Sequence, residues 1–433
     1  NGSLDGGDIQ INSNGSGDIV TGILDTSAST GSGGNISLTS INGSIDTNTI
    51  IDGGEGSGIG GIIDARSLAT GGIGGSITLT APGSIIPADQ VLTTNNSITF
   101  DGPVSLDANN IFAADTVRVQ TFDGDINFNG TVNGNNGTEI RDRSLIIDGG
   151  KGSTISSITF GSTVGETVAL TNLAAVEVSS IELNGSVTTS GSQRYEGSID
   201  LKSDVVLTGQ ELDFTGTVGG TGSLGLQPSD PAQAILVGGT DTGNASILEL
   251  TGAEINLLAP TIASITIGRA NGTGTLTVDP AGASFSSPLT LQSPDPGGAI
   301  IINGPMQVDA NLLNLAAGDS IDINANITTT GGSIDINSNG TVDTTGGDLD
   351  PNGGDVRIAA LNDVFLGNIF TGFVQTSAGD ILITSTVGAI DTSTGELNAA
   401  TDAGNAGAVR LEAATSITTG EVFASSLSGD GGD

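Results

Sequence analysis

The residues best suited to chemistry lie late in the chain, where Asp348, Asp350 and Asn352 alternate ahead of Gly353, with Asp355 just beyond. This D-x-D-x-N-G order matches the first half of a calcium loop. In such a loop, oxygen ligands at every second position surround the ion and the glycine permits a sharp bend. The closing bidentate Glu is absent, since position 359 is Ala. Asp348, Asp350, Asn352 and Asp355 are therefore the candidate metal ligands, for a weak extracellular Ca2+ site. The plainer reading is an acidic turn.

Other clusters point less sharply. The runs GGEGSGIGG at Gly53–Gly61 and GGIGGS at Gly71–Ser76 lack the Asp of calcium-binding nonapeptides and the Lys-Ser/Thr of phosphate loops. Arg141, Asp142 and Arg143, with Lys151 nearby, form the one basic cluster, and they read as a surface ion pair on a turn. Glycoside hydrolysis would need paired carboxylates in a groove. A sugar cleft usually offers aromatic platforms as well, yet Trp is absent and Tyr195 is the single tyrosine. No catalytic residue and no required cofactor are expected. An ice-binding surface would need Thr-x-Thr on turn after turn, and Thr39, Thr80 and Thr384 stand in differing contexts.

The 433 residues contain neither Cys nor His, which removes disulfides, thiol nucleophiles, imidazole bases and most zinc sites. Ten Lys and Arg face 48 Asp and Glu, for a formal charge of −38. Such a surface repels phosphate backbones and anionic membranes and attracts cations, so nucleic acid is not an expected partner. No run approaches the length of a membrane-spanning helix, so membrane insertion is not expected either. No signal peptide is visible ahead of Asn1, and the chain reads as a mature or excised segment.

The elements that would carry these residues are written in one recurring phrase: a Gly-rich turn, then apolar–any–apolar. It appears as GGDIQI at Gly6–Ile11, GGNISL at Gly33–Leu38, GGSITL at Gly74–Leu79, GGSIDI at Gly331–Ile336 and GGDVRI at Gly353–Ile358. Alternation of this kind predicts short strands with one buried face, and self-similarity predicts a stacked repeat. Most steps between phrases are 21 to 28 residues. Ile36 to Ile77 and Ile158 to Ile199, each 41, fit two shorter turns apiece. Ile321 to Ile334, only 13, fits two faces of one turn. The expected fold is all-β: a right-handed parallel β-helix with rungs of about 20–28 residues. At the usual strand spacing, roughly 17 or 18 rungs would make a rod on the order of 80 Å.

The stretches 1–192 and 297–433 read as regular rungs, and 193–296 as a less regular region with loops. Phe100, Phe128, Phe160 and Phe214 are expected in wide parts of the core. Gly, Asn and Asp are expected at corners that need positive φ or tight bends.

The Gly-Gly-x-Ile-x-Leu rungs resemble filamentous-haemagglutinin-like exoproteins, the secreted partners of two-partner secretion systems. LQPSDPAQAILVGGTDTG at Leu226–Gly243 and ASITIGRANGTGTLTV at Ala263–Val278 are similar to a repeat unit of such exoproteins. The amino-terminal secretion module of that family, with its Asn-Pro motif, is not part of the sequence. The resemblance implies a right-handed β-helix, export through an outer-membrane pore, and a role at the cell surface in adhesion, aggregation or matrix formation. The expected function is thus a non-catalytic, extracellular structural or adhesive solenoid. Its expected partners are itself, end to end or side by side, and surface glycans or neighbouring cells. The alternative is a carbohydrate-active or carbohydrate-binding β-helix with its site in the irregular region.

Overall fold

The structure, a computed structural model, describes residues 4–48, 61–106, 116–134, 143–150, 156–309, 312–372, 377–429 and 431. It is a parallel β-solenoid of about 16 turns, and its described helix is the single turn Gly252–Ile255. The chain divides into two units, Asn1–Gly222 and Ser223–Asp433.

In the first unit most turns are built from three short strands. One turn runs through Ile36–Ser40, Ile45–Asp46 and Ile62–Asp64, then returns at Ile77–Thr80, where Ile36 pairs with Ile77 and Leu38 with Leu79. Alternation points Ile36, Leu38, Ile77 and Leu79 inward, each at most 1% exposed. The Phe columns behave as expected. Phe100, Phe128 and Phe160 stack with ring centroids 4.8 and 5.3 Å apart, and Phe214 stacks on Tyr195 at 5.9 Å. The fully buried Tyr195 hydroxyl donates to Gln193 Oε1 at 2.8 Å, and Gln193 Nε2 donates to the Thr208 carbonyl at 2.8 Å. Burial pushes the Tyr195 pKa up, which keeps the hydroxyl a donor.

The second unit repeats the plan. Leu313–Ala317, Ser320–Ile323 and Ile327–Thr329 complete a turn before Ile334–Ser338 stacks on Leu313–Ala317. Ile321 and Ile334 do lie on two faces of one turn, in different sheets. Near the end of the unit the nine-residue strand Ile390–Asn398 pairs with both Val364–Phe365 and Ile369–Phe370, merging two strand positions.

The long steps resolve in opposite ways. Ile158 to Ile199 is two turns, since Ile158 pairs with Ile181 and Ile181 with Ile199. Ile36 to Ile77 is one turn, contrary to the reading of two, because these residues pair directly. Apolar spacing alone cannot separate a doubled turn from one turn with an inserted loop. The turn from Leu224 to Ile265 is lengthened in the same way.

That turn carries the main excursion of the second unit. Ala234–Val237 pairs with Thr275–Val278 on one side and with Ile247–Leu250 on the other. The chain leaves the coil at Gly238 and Gly239, whose φ values of 90° and 70° favour glycine. The excursion is tied down by buried Glu249, which accepts from the Thr242 amide (2.8 Å) and hydroxyl (2.5 Å). It closes with the short helix Gly252–Ile255. There Thr251 and Glu254 form a reciprocal capping box, each side chain accepting from the other's backbone N–H.

Candidate functional site

A chain with this many carboxylates could hold its function in any of them, so their engagements decide where a site can lie. A recurring Asp or Asn sits one position before the first inward residue of a strand. There it accepts the backbone N–H of its counterpart in the next turn. Asn35 N–H donates to the Asp8 carboxylate (2.7 Å), and Ser76 N–H to Asn35 Oδ1 (2.9 Å). In the second unit Asp380 N–H donates to Asp355 (2.8 Å), and Ala408 N–H to Asp380 (2.8 Å). A second set closes tight turns two residues on: Asp25 to the Ser27 amide, Asp343 to Thr345 and Asp391 to Ser393. The glycine just before the capping residue has its own reason. A Cβ on Gly75 would lie 1.9 Å from the Gly34 carbonyl oxygen, and one on Gly379 would lie 2.1 Å from that of Gly354. The phrase Gly-Asp-Ile therefore means close approach, cap and core, in that order. Positive φ, expected at these corners, is not what these two glycines supply.

The four candidate metal ligands belong to this scheme. Asp348 accepts from Asn368 Nδ2 at 2.9 Å. Asp350 closes its own turn onto the Asn352 amide at 3.1 Å. Asn352, at a φ of 51°, donates to the Thr329 carbonyl at 2.7 Å. Asp355 caps the next turn and pairs with Arg357, which also reaches Asp335 at 3.5 Å. Each group thus has a separate engagement with its own or a neighbouring turn. Among the described residues no three His, Cys, Asp or Glu side chains are grouped so as to hold a metal ion.

The basic cluster is placed otherwise than expected. Arg141, Asp142 and Lys151 lie outside the described residues, as do Gly53–Gly60. Arg143 is not on the surface. It is fully buried and ion-paired with Asp89, itself 6% exposed. The signal was present in the sequence: alternation places Arg143 on the same face as Leu145 and Ile147. A buried guanidinium is tolerated only when paired and hydrogen-bonded, so its place is structural.

What the coil does not use lies beside the excursion. A cleft of about 460 Å³ is walled by Gly252–Asn256 and floored by the outward face of three stacked strands. Ser284, Gln307 and Thr328 stack in register along that floor, with inward neighbours Met306, Val308 and Ile327 beneath. Asn326 lines the edge, using Oδ1 to accept the Asp348 N–H at 3.0 Å. No residue lining the cleft is charged. Among the described residues the side chains of Asn256, Ser284 and Thr328 have no hydrogen-bond partner. Amide and hydroxyl groups with unused capacity, a firm floor and a volume within the usual range for ligand sites make this the candidate site. Nothing in the sequence marks Ser284, Gln307 and Thr328 as one column before the register is known.

No protein-family model, curated protein or solved structure matches this chain. No helix among the described residues is long and apolar enough to cross a membrane.

Proposed function

We propose that this chain is an extracellular structural or adhesive solenoid of the filamentous-haemagglutinin-like kind, exported by two-partner secretion and displayed at a bacterial cell surface. It performs no catalysis. The observation that carries this reading is the use of the carboxylates: Asp8, Asp355 and Asp380 each bind the backbone of the following turn. Acidic side chains recruited into the ladder favour a long polar scaffold over an acid–base centre.

Self-association is the first partner interaction proposed. The strand Ile417–Phe423 pairs with Ile390–Asn398 on one side, and Ile417, Val422 and Phe423 are 45%, 43% and 42% exposed. A parallel strand of the same kind could pair with the edge of Ile417–Phe423 that has no partner among the described residues, and would cover these apolar side chains. Surface glycans or neighbouring cells are the second class of partner.

Electron microscopy of the purified chain, in calcium and in chelator, tests the reading. Narrow rods or filaments are expected in both conditions, and their loss in chelator alone would assign calcium a part in assembly. Compact globules in both would overturn the proposal.

A further inference from the structure

We infer that the uncharged cleft beside the excursion binds a short stretch of a neutral, β-linked glycan, with two or three sugar rings lying along the coil axis. The inference rests on the adhesive reading and supplies it with a place and a ligand class.

Three features point to this occupant. The first is charge. In a chain of formal charge −38, a cleft lined without one charged side chain leaves uronates, phosphates and sulfates surrounded by a repelling field and met by no cation. A cationic ligand would find no carboxylate on the lining. A neutral ligand is unaffected by either limit.

The second is hydrogen-bonding chemistry. Some outward polar groups of the coil are engaged with a neighbouring turn, as Asp348, Asp355 and Asn352 are. In the cleft the Asn256 amide and the Ser284 and Thr328 hydroxyls have no partner among the described residues. Gln307 uses Nε2 toward Asp309 at 2.8 Å, which leaves Oε1 as an acceptor. Mixed donors and acceptors on amides and hydroxyls match sugar hydroxyls, each of which both donates and accepts.

The third is geometry. Ser284, Gln307 and Thr328 are stacked partners on consecutive turns, so they repeat at about 4.8 Å along the axis. That step is close to the length of one sugar ring in an extended chain. The ligand would cross the strands rather than extend them, which separates it from a peptide added to a sheet edge. The wall holding Asn256 is kept in place by the capping box of Thr251 and Glu254 and by the Glu249–Thr242 bonds, so the site is formed before binding.

The test uses the whole chain in isothermal titration with cellohexaose, chitohexaose and mannohexaose, and with a hexamer of galacturonate as the acidic counterpart. Saturable binding of at least one neutral hexamer is expected, with the galacturonate bound at least tenfold more weakly. Asn256→Ala with Ser284→Ala should weaken the neutral ligand at least tenfold. Both residues are surface-exposed, and circular dichroism should report an unchanged fold. Failure of all three neutral hexamers, equal binding of galacturonate, or full affinity in the correctly folded double variant would each overturn the inference. None of these results bears on whether the chain forms rods, which microscopy decides separately.

Discussion

At the scale of single residues, the small polar side chains hold this coil's turns together and shape its corners. Asp25 shows how a turn tunes a carboxyl. The Ser27 hydroxyl and amide both donate to it, and together with nearby Arg66 they hold its pKa below the ordinary carboxylate range. A depressed carboxylate contributes stability that is complete above its unfolded value, about 3.9, and is lost as pH falls through the folded one. Ser27→Ala removes the larger of the two Ser27 contributions. The Asp25 titration midpoint, followed by carboxyl-carbon NMR, should therefore move upward, and a fixed midpoint would refute the assignment. Asp380 tests the caps between turns. Asp380→Ala deprives the Ala408 N–H of its acceptor and should cost about 1 kcal/mol in urea unfolding. Asp380→Asn keeps an oxygen in place and should recover most of that loss. Equal destabilisation by both variants would mean that charge, rather than the cap, matters.

At the scale of the strand and its turn, stacking distance governs which residues are permitted. Gly379 and Gly7 occupy the same place in the phrase, but only Gly379 has a described turn beneath it close enough to object. A Cβ on Gly379 meets the Gly354 carbonyl oxygen at 2.1 Å, whereas one on Gly7 meets nothing within 4 Å. Gly379→Ala should thus destabilise the chain by about 1–3 kcal/mol, as overpacking does, and Gly7→Ala should be close to neutral. Matching effects from the two in thermal unfolding would remove close approach as the reason for the glycine. The same contrast shows what could be read in advance. Ile9, Ile36 and Ile77 announce strands because alternation is a local property, and their stacking follows from the repeat. The column Ser284–Gln307–Thr328 and the buried Arg143–Asp89 pair depend on which residues of distant turns meet. Register across loops of unequal length sets that, and no single phrase contains it. The excursion departs from the coil at Gly238 and Gly239, whose positive φ is a property of the fold and not of any one phrase.

At the scale of the whole molecule, a parallel stack places like charges one strand spacing apart, and the formal charge of −38 makes some such contacts unavoidable. Glu182 and Asp200 are stacked partners, but Lys202 bridges them at 3.6 and 2.6 Å. Arg66 does the same service for Asp64, whose stacked partner is Asp25. Asp322 and Asp343 are also stacked, and no ion pair with either is found among the described residues. Two unit charges about 4.8 Å apart in water repel by about 1 kcal/mol before screening. At 0.01 M salt the screening length is about 30 Å and the repulsion is nearly intact, while at 1 M it is about 3 Å and little remains. Stability should therefore rise with sodium chloride over that range. Asp322→Asn should be more stable than the parent by up to about 1 kcal/mol at low salt, with the advantage vanishing at high salt. The ion also matters. If cations act only by screening, calcium and sodium at matched ionic strength should give the same unfolding midpoint. If calcium raises the midpoint further, and Asp350→Asn abolishes the excess, the Asp348–Asp355 turn binds the ion despite its present engagements. Calorimetry of the two proteins in the two salts separates a general relief of repulsion from a specific site.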